Sequence, residues 1–366
     1  MPRPPQIIAN IVRQQQQWLR KQGQRWRSFR LPMPAAAPDA TEDIQSHLIE
    51  ITNFGTNRGS LRMLIHLPEG LPPGAPLVVV LHGCTQSAAA FDRACGWSDL
   101  ADRFGFALLL PEQRQANNAK DCFNWFAAGD TRRGSGEALS IREMIGWMVA
   151  QHSLDPGRVY VAGLSAGGSM AVAMLATYPE VFAGGAIIGG MPYGSAIGSR
   201  QARPAMSGKQ NNRPPGGWGD AVRAASPHRG PWPRVSIWHG DADPSVHPVN
   251  AERLVEQWTD LHGLIGELTQ EEQTGNHRHR VWCSPGNEAL VESHTIVGMA
   301  HGAPICAGTG PGRCGVAGPA TLDVGVSSTH HILAFWGLAP PIEAMATAAN
   351  SSIPPHAGDI AGPVSR

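Results

Sequence analysis

Residues 160–174 read YVAGLSAGGSMAVAM, and within them Gly163-Leu164-Ser165-Ala166-Gly167 has the pattern Gly-x-Ser-x-Gly. No other stretch narrows the fold as much. A short apolar run at 159–162 stands before it, and small and apolar residues follow from Ser169, so the local structure must be a buried strand, a sharp turn and a helix. Side chains at 163 and 167 would collide with neighbouring backbone, and the serine at the tip of such a turn has a strained backbone of its own. Gly168 adds room for close helix packing. The serine hydroxyl is thereby presented at the end of a strand.

In a chain with 43 glycines a five-residue match carries little alone, so its surroundings decide. Residues 77–81, LVVVL, follow a Pro- and Gly-rich stretch and are too short and too β-branched for a helix, which predicts a central buried strand. Upstream, 47–51 and 61–67 alternate apolar with polar residues about an Asn- and Gly-rich turn, as a hairpin at a sheet edge does. Downstream the pattern predicts helical material over 88–104, a strand over 106–110, a helix over 136–152, the elbow strand, strands over 184–189 and 235–238, and a helix over 249–261. Later strand candidates are 267–270, 279–283 and 293–298. Buried strands alternating with helices imply an α/β fold whose mostly parallel central sheet is covered on both faces. Residues 194–233, loaded with Gly, Pro, Arg and Asn, predict an irregular insertion over the rim of the site.

Composition excludes several partners. The chain has 366 residues, 42% of them hydrophobic, enough for a large core. Its 29 Lys and Arg balance its 29 Asp and Glu, which removes the electrostatic case for a nucleic-acid partner or an anionic membrane. No apolar run approaches the ~20 residues of a membrane span. The N-terminus lacks the apolar core and cleavage site of a secretory signal, and localisation is left open. Residues 1–45 stand apart: Ile8, Ile11, Val12, Trp18, Leu19 and Trp26 lie among Gln, Arg and Lys, giving a basic amphipathic helix over 7–29 followed by a linker over 31–40. The helix is read as an appendage docked on the main domain, because terminal extensions commonly dock, with adsorption to a lipid or granule surface as the alternative. The main domain spans 46–340, and 341–366 is expected to be a flexible tail.

A serine hydroxyl is a weak nucleophile at neutral pH and needs a base to take its proton and an acid to orient that base. After Ser165 come Asp243, in His239-Gly240-Asp241-Ala242-Asp243 behind one strand, and His301, in Met299-Ala300-His301-Gly302 behind a later one. The order Ser, Asp, His is that of the α/β-hydrolases and puts all three at the C-terminal edge of one parallel sheet. An oxyanion hole requires two backbone N–H donors; Ala166 supplies one and Cys84, in His82-Gly83-Cys84 behind the LVVVL strand, the other. Asp241 is a rival acid whose other role is to brace the loop. His294 is a rival base, but it alternates within a strand as a satisfied histidine does. His277-Arg278-His279 with Cys283 contains zinc-ligand residue types, yet histidines in a polar turn are usually solvated, so no metal is expected, nor any cofactor. The six cysteines, 84, 95, 122, 283, 306 and 314, allow fifteen full pairings; Cys306 and Cys314, bracketing a Gly-rich loop near His301, are the expected local pair.

Further stretches carry a resemblance: VVVLHGCTQSAAAFDRACGW, CFNWF, GEALSIREMI, VYVAGLSAGGSMAVAM, RVSIWHGDADPSVHP and FWGL. Over residues 47–338 the chain resembles the polyhydroxybutyrate depolymerase family of esterases, and HGCTQ and GLSAGG are more specific than the generic elbow. The resemblance implies an α/β-hydrolase domain that cleaves esters of poly(3-hydroxyalkanoate) or, in related members, of feruloylated or acetylated plant polysaccharides. It also implies an acid three residues after the glycine of the HG turn, which is Asp243, and a base in a Gly-x-x-His-Gly turn, which is His301. The family is commonly extracellular and often carries a polymer-binding module, whereas no second folded module is read after the catalytic region here. Trp125 of CFNWF and the 194–233 insertion are candidate walls of the acyl pocket.

Two classes of function follow. The first is a serine esterase acting through an acyl-enzyme on hydroxyalkanoate polyester or oligoesters, from which a feruloyl or acetyl-xylan esterase would differ only in the acyl pocket. The second is a hydrolase-fold binding protein seated on a granule or lipid surface with its site idle, against which the intact Ser, Asp and His set stands. Deletion of residues 1–40 is expected to lower the melting temperature and to reduce rates on soluble and particulate esters alike. A loss confined to particulate substrate, at unchanged melting temperature, would establish adsorption instead.

Overall fold

The computed structural model describes residues 47–345 except 210–212, 215, 265 and 343. The expected N-terminal helix and linker, and residues 346–366 of the expected tail, lie outside the described residues. Ten strands form one sheet: β1 (Ile49–Ile51), β2 (Arg62–His66), β3 (Leu77–Leu81), β4 (Ala107–Glu112), β5 (Val159–Leu164), β6 (Gly184–Ile188), β7 (Arg234–Gly240), β8 (Gln270–Thr274), β9 (His277–Cys283) and β10 (Ala289–Ile296). Their order is β1-β2-β4-β3-β5-β6-β7-β10-β9-β8. The six strands from β4 to β10 are mutually parallel, while β1 with β2 at one edge and β9 with β8 at the other are antiparallel additions.

The strand β3 has no polar position because both of its faces are covered. Leu77, Val79 and Leu81 of β3 face one core with α4 (Gly136–His152), α5 (Ala166–Thr177) and α8 (Val249–His262). Val78 and Val80 face a second core with α1 (Ala88–Cys95), α2 (Trp97–Phe104) and α9 (Ser328–Phe335). A parallel strand buried this way reads as a continuous apolar run, which is how LVVVL was recognisable. The helical material over 88–104 is two helices, because Gly96 takes φ 69° and ends α1 before α2 begins. Ser87 caps α1 by accepting the Ala90 N–H at 3.2 Å.

Several expectations are corrected. The 194–233 insertion carries two short helices, α6 (Ser199–Met206) and α7 (Gly217–Arg223), besides α3 (Ala128–Thr131) before it. Trp218 of α7 is buried and takes the Arg213 guanidinium over its ring at 4.5 Å. The strand expected at 267–270 lies at 270–274, because the Gly275-Asn276 turn sets Thr274 opposite His277. β10 runs back to Ala289 and stops at Ile296, ahead of Gly298 at φ 75°. The strand expected at 279–283 begins two residues earlier, so His277 is not a solvated turn residue but a member of β9 with His279. Leu338 and Met345 are buried, so packed structure reaches past 340.

Trp258 of α8 is fully buried in the first core, whereas Trp125 is only half-buried. Trp258→Ala is therefore expected to cost about 3–5 kcal/mol and on the order of 10 °C in melting temperature, and Trp125→Ala less than about 1 kcal/mol. Calorimetry on the two variants checks the contrast.

Candidate active site

The elbow follows from close backbone contact. Ser165 stands between β5 and α5 with φ 58° and ψ −114°, a region that costs a non-glycine residue about 1–3 kcal/mol. The conformation persists because its surroundings leave no alternative. Ser165 donates its N–H to Ile188 O of β6 at 2.8 Å, and its carbonyl accepts from Ser169 N at 2.9 Å and Ser169 Oγ at 3.1 Å. A Cβ on Gly163 would stand 2.3 Å from Gly167 O, and one on Gly167 would stand 2.2 Å from Leu81 O and 2.5 Å from His82 O. The second contact also presses the start of α5 against the loop behind β3.

That loop is His82-Gly83-Cys84-Thr85. The Gly83 N–H is taken by Gln86 Oε1 at 2.8 Å, and the Thr85 N–H by Lys120 O at 2.7 Å. Between them the Cys84 N–H has no acceptor among the described residues, and Ala166, in the first turn of α5, has no intrahelical acceptor by geometry. Cys84 is joined by a disulfide to Cys122, 38 residues on. This corrects the expected Cys306–Cys314 pair: both are free thiols, although Cys314 N donates to Cys306 O at 2.9 Å. The Cys314 side chain turns into the second core instead, 3.4 Å from Cys95 O and 3.2 Å from Ser327 Oγ. Burial pushes its thiol up to about 11, which makes it unreactive.

The loops of Asp243 and His301 dock on each other in the same way as the elbow docks on β3. A Cβ on Gly240 would stand 2.1 Å from Met299 O, and Ala242 N donates to Met299 O at 3.2 Å. Asp241 accepts the Gly298 N–H at 2.6 Å and so braces the base loop. Asp243, its side chain 1% exposed, holds His301 Nδ1 at 2.6 Å through Oδ2 and accepts from Ser245 N at 2.7 Å and Val246 N at 2.9 Å through Oδ1. Burial by itself would raise the Asp243 carboxyl, but hydrogen bonds from His239, His301 and the Val246 N–H outweigh it and hold the group well below the usual carboxylate range. His301 lies against Gly189, where an added Cβ would meet Cε1 at 3.1 Å, and Gly189 follows the Ile188 that holds Ser165. Ser165, Asp243 and His301 thus come to one sheet edge.

Two residues were missed by sequence reasoning. His239 Nε2 stands 3.2 Å from Asp243 Oδ2 and 2.8 Å from Val246 O, a second histidine on the acid. Its signal was the four-residue spacing within HGDAD. Glu137, buried at the start of α4, accepts from Gln113 Nε2 at 2.6 Å, Asn124 N at 2.8 Å and Asn124 Nδ2 at 2.7 Å. Burial lifts its carboxyl to about 8 against the hydrogen bonds from Asn124 and Gln113. It anchors the loop that carries Cys122 and Trp125, and a lone acid heading an otherwise apolar helix face was the available sign. Trp125 lines a small cleft with Ala128, Met191, Tyr193 and Ile197, floored by Ser169, one helical turn from Ser165. A larger cleft of about 500 Å³ opens beside Thr85 and Asp121 and touches neither Ser169 nor Trp125.

With this geometry in hand, the comparisons with known proteins decide the family. The model of the family described as "Esterase PHB depolymerase" matches residues 63–283. The chain belongs to the PHB depolymerase esterase family. It is 48% identical over 292 residues, 80% of this chain and 70% of the relative, to a poly(3-hydroxyalkanoate) depolymerase C of Paucimonas lemoignei. It is 30% identical over 287 residues, 75% of this chain and 76% of the relative, to a probable acetylxylan esterase A of Aspergillus fumigatus. Among solved structures, an acetyl xylan esterase from Aspergillus awamori has a TM-score of 0.68 at 22% identity, covering 80% of this chain and 99% of that one, which establishes the α/β-hydrolase fold. The chain is a carboxylic-ester hydrolase, as members of this esterase family are.

Asp243 and Asp241 separate in experiment. Asp243→Asn is expected to lower kcat by about 10⁴-fold, and Asp241→Asn by less than about tenfold, since it only braces a turn. The depressed carboxyl of Asp243 contributes stability that is fully present above the unfolded pKa, about 3.9, and is lost as pH falls below it. Between pH 7 and pH 3 the melting temperature of the native chain should therefore drop more steeply than that of Asp243→Asn.

Proposed function

We propose that the chain hydrolyses poly(3-hydroxyalkanoate) or its oligoesters through an acyl-enzyme on Ser165. The observation that carries the reading is the 2.6 Å bond from buried Asp243 to His301 Nδ1 at the edge where the elbow presents Ser165. With Nδ1–H donated to the carboxylate, Nε2 is the nitrogen left to take the Ser165 proton as Oγ attacks the ester carbonyl. The oxyanion that forms meets the N–H groups of Cys84 and Ala166, which need no reorganisation. Collapse expels the alkoxide, which leaves with the proton from His301, and water then repeats the cycle on the acyl-enzyme. The Asp243 charge stabilises the imidazolium at both stages.

The hydroxyalkanoate substrate rests on the 48% identity to a poly(3-hydroxyalkanoate) depolymerase against 30% to an acetylxylan esterase. A feruloyl substrate is favoured by a different observation: Trp125 and Tyr193 give the small cleft aromatic walls that suit a planar aromatic acyl group. In the proposed role Trp125 flanks the acyl chain.

Ser165→Ala is expected to lower kcat by roughly 10⁶-fold on every ester while leaving the fold intact. Rates on 3-hydroxybutyrate oligomers and polymer film, methyl ferulate and acetylated xylan decide the substrate; preference for ferulate or xylan overturns the polyester assignment. Failure of an organophosphate to label Ser165 would leave only the idle binding protein.

A further inference from the structure

The far end of the sheet brings several histidines together on the face that packs against α9. Antiparallel register sets His279 of β9 opposite His294 of β10, and parallel register sets His294 beside Trp238 of β7. The rings stack, Trp238 on His294 at 3.7 Å and His294 on His279 at 4.1 Å between centroids. Glu292 lies two residues before His294 and so on the same face. Its Oε2 is 3.1 Å from His279 Nε2, and its Oε1 is 3.0 Å from His294 Nε2. One ligand atom from each of the three residues lies within 4.8 Å of the others.

Two features separate this group from ordinary buried polar packing. His294 is 1% exposed and its Nε2 makes no hydrogen bond, although the carboxylate oxygen is 3.0 Å away. The contact is too far out of line to be a hydrogen bond, so a fully buried ring nitrogen is left without a partner among the described residues. Glu292 is buried, and its only ion-pair partners among the described residues are His279 and His294, so no Lys or Arg balances its charge.

The surrounding bonds suit a metal. His277 Nε2 lies 2.8 Å from His294 Nδ1; with that bond made by the His294 Nδ1 proton, Nε2 keeps its lone pair, as a ligating histidine requires. Ser236 Oγ donates to Glu292 Oε1 at 2.6 Å while accepting the Trp238 Nε1 proton at 2.8 Å, which fixes the carboxylate. The His279 side chain is 30% exposed and offers an entry path.

We propose that His279, Glu292 and His294 form a binding site for a divalent transition-metal ion of the zinc class, with water as fourth ligand. Two imidazoles and a carboxylate are a zinc ligand set, and bond lengths of about 2.0–2.2 Å place tetrahedral donors roughly 3.3 Å apart. Glu292 already meets both histidines near that spacing, His279 through Oε2 and His294 through Oε1, and a turn of the 30% exposed His279 ring out of its stack on His294 would close the third side. The ion would tie β9 to β10 and, through Ser236, to β7. These last two strands lead into the loops of His301 and Asp243, so its role is bracing rather than chemistry.

The test uses the tag-free full chain, stripped with EDTA and titrated with Zn²⁺ by calorimetry, with Co²⁺ absorption reporting geometry. One equivalent should bind with Kd in the micromolar range or below, give tetrahedral Co²⁺ bands, and raise the melting temperature by about 4 °C or more at a hundredfold excess over Kd. His279→Gln and Glu292→Gln should each weaken binding at least about 100-fold with unchanged circular dichroism, while His301→Ala and Cys306→Ser retain it, which separates this site from the catalytic histidine and the thiols. No binding tighter than about 100 µM, or undiminished affinity in His279→Gln, would overturn the proposal and leave the cluster holding a shared proton.

Discussion

The site depends on backbone meeting backbone where no side chain fits. Gly167 rests on Leu81 O and Gly240 on Met299 O, each so close that a methyl group would stand within 2.2 Å of a carbonyl oxygen. The first contact sets the elbow against the loop of Cys84, the proposed oxyanion donor, and the second sets the loop of Asp243, the proposed acid, against that of His301, the proposed base. Peptide units are stiffer than side chains, so four loops from distant parts of the chain are held with little freedom. That rigidity offsets the 1–3 kcal/mol of strain stored at Ser165. It also supplies the pre-organisation on which electrostatic catalysis rests.

Three buried carboxylates near the sheet have different fates because their partners differ. Asp243 is ringed by two histidines and two backbone N–H groups and is held ionised. Glu137 receives only neutral amide donors, with Asp130 adding to the effect of burial, and its carboxyl is raised. Glu292 faces imidazoles and a serine hydroxyl and, among the described residues, has no permanent cation as partner. Burial alone predicts the same direction for all three; the chemistry of the neighbours decides.

The sequence was most informative where one residue type answered one local demand. Runs such as LVVVL had to be central strands, Gly-x-Ser-x-Gly had to be a strained turn, and HGDAD and GMAHG sit at strand ends where the loops of such a sheet gather. What was illegible depended on pairing between distant segments. The Cys84–Cys122 bond needs the β3 and β4 loops to meet, and no spacing rule chooses it over the nearer Cys306 and Cys314. His277 looked like a turn residue because the Gly275-Asn276 turn that joins β8 to β9 sits just before it, and nothing local shows that β9 also pairs with β10. The helix at 199–206 contains Pro204 and the one at 217–223 contains Gly217 and Gly219, so local propensity argued against them.

The disulfide fastens the proposed oxyanion donor Cys84 to a segment that, three residues later, carries Trp125. One wall of the small cleft is thus mechanically tied to the loop proposed to stabilise charge, while the wall formed by Tyr193 and Ile197 comes from a separate stretch behind β6. Under the proposed mechanism, change on the Trp125 side is expected to lower the rate, because a shift there is transmitted through the disulfide to the Cys84 loop. The Tyr193–Ile197 side can be remodelled without touching it. Diversification of acyl preference in this scaffold should therefore be asymmetric, with variation accumulating on one rim and the opposite rim held fixed.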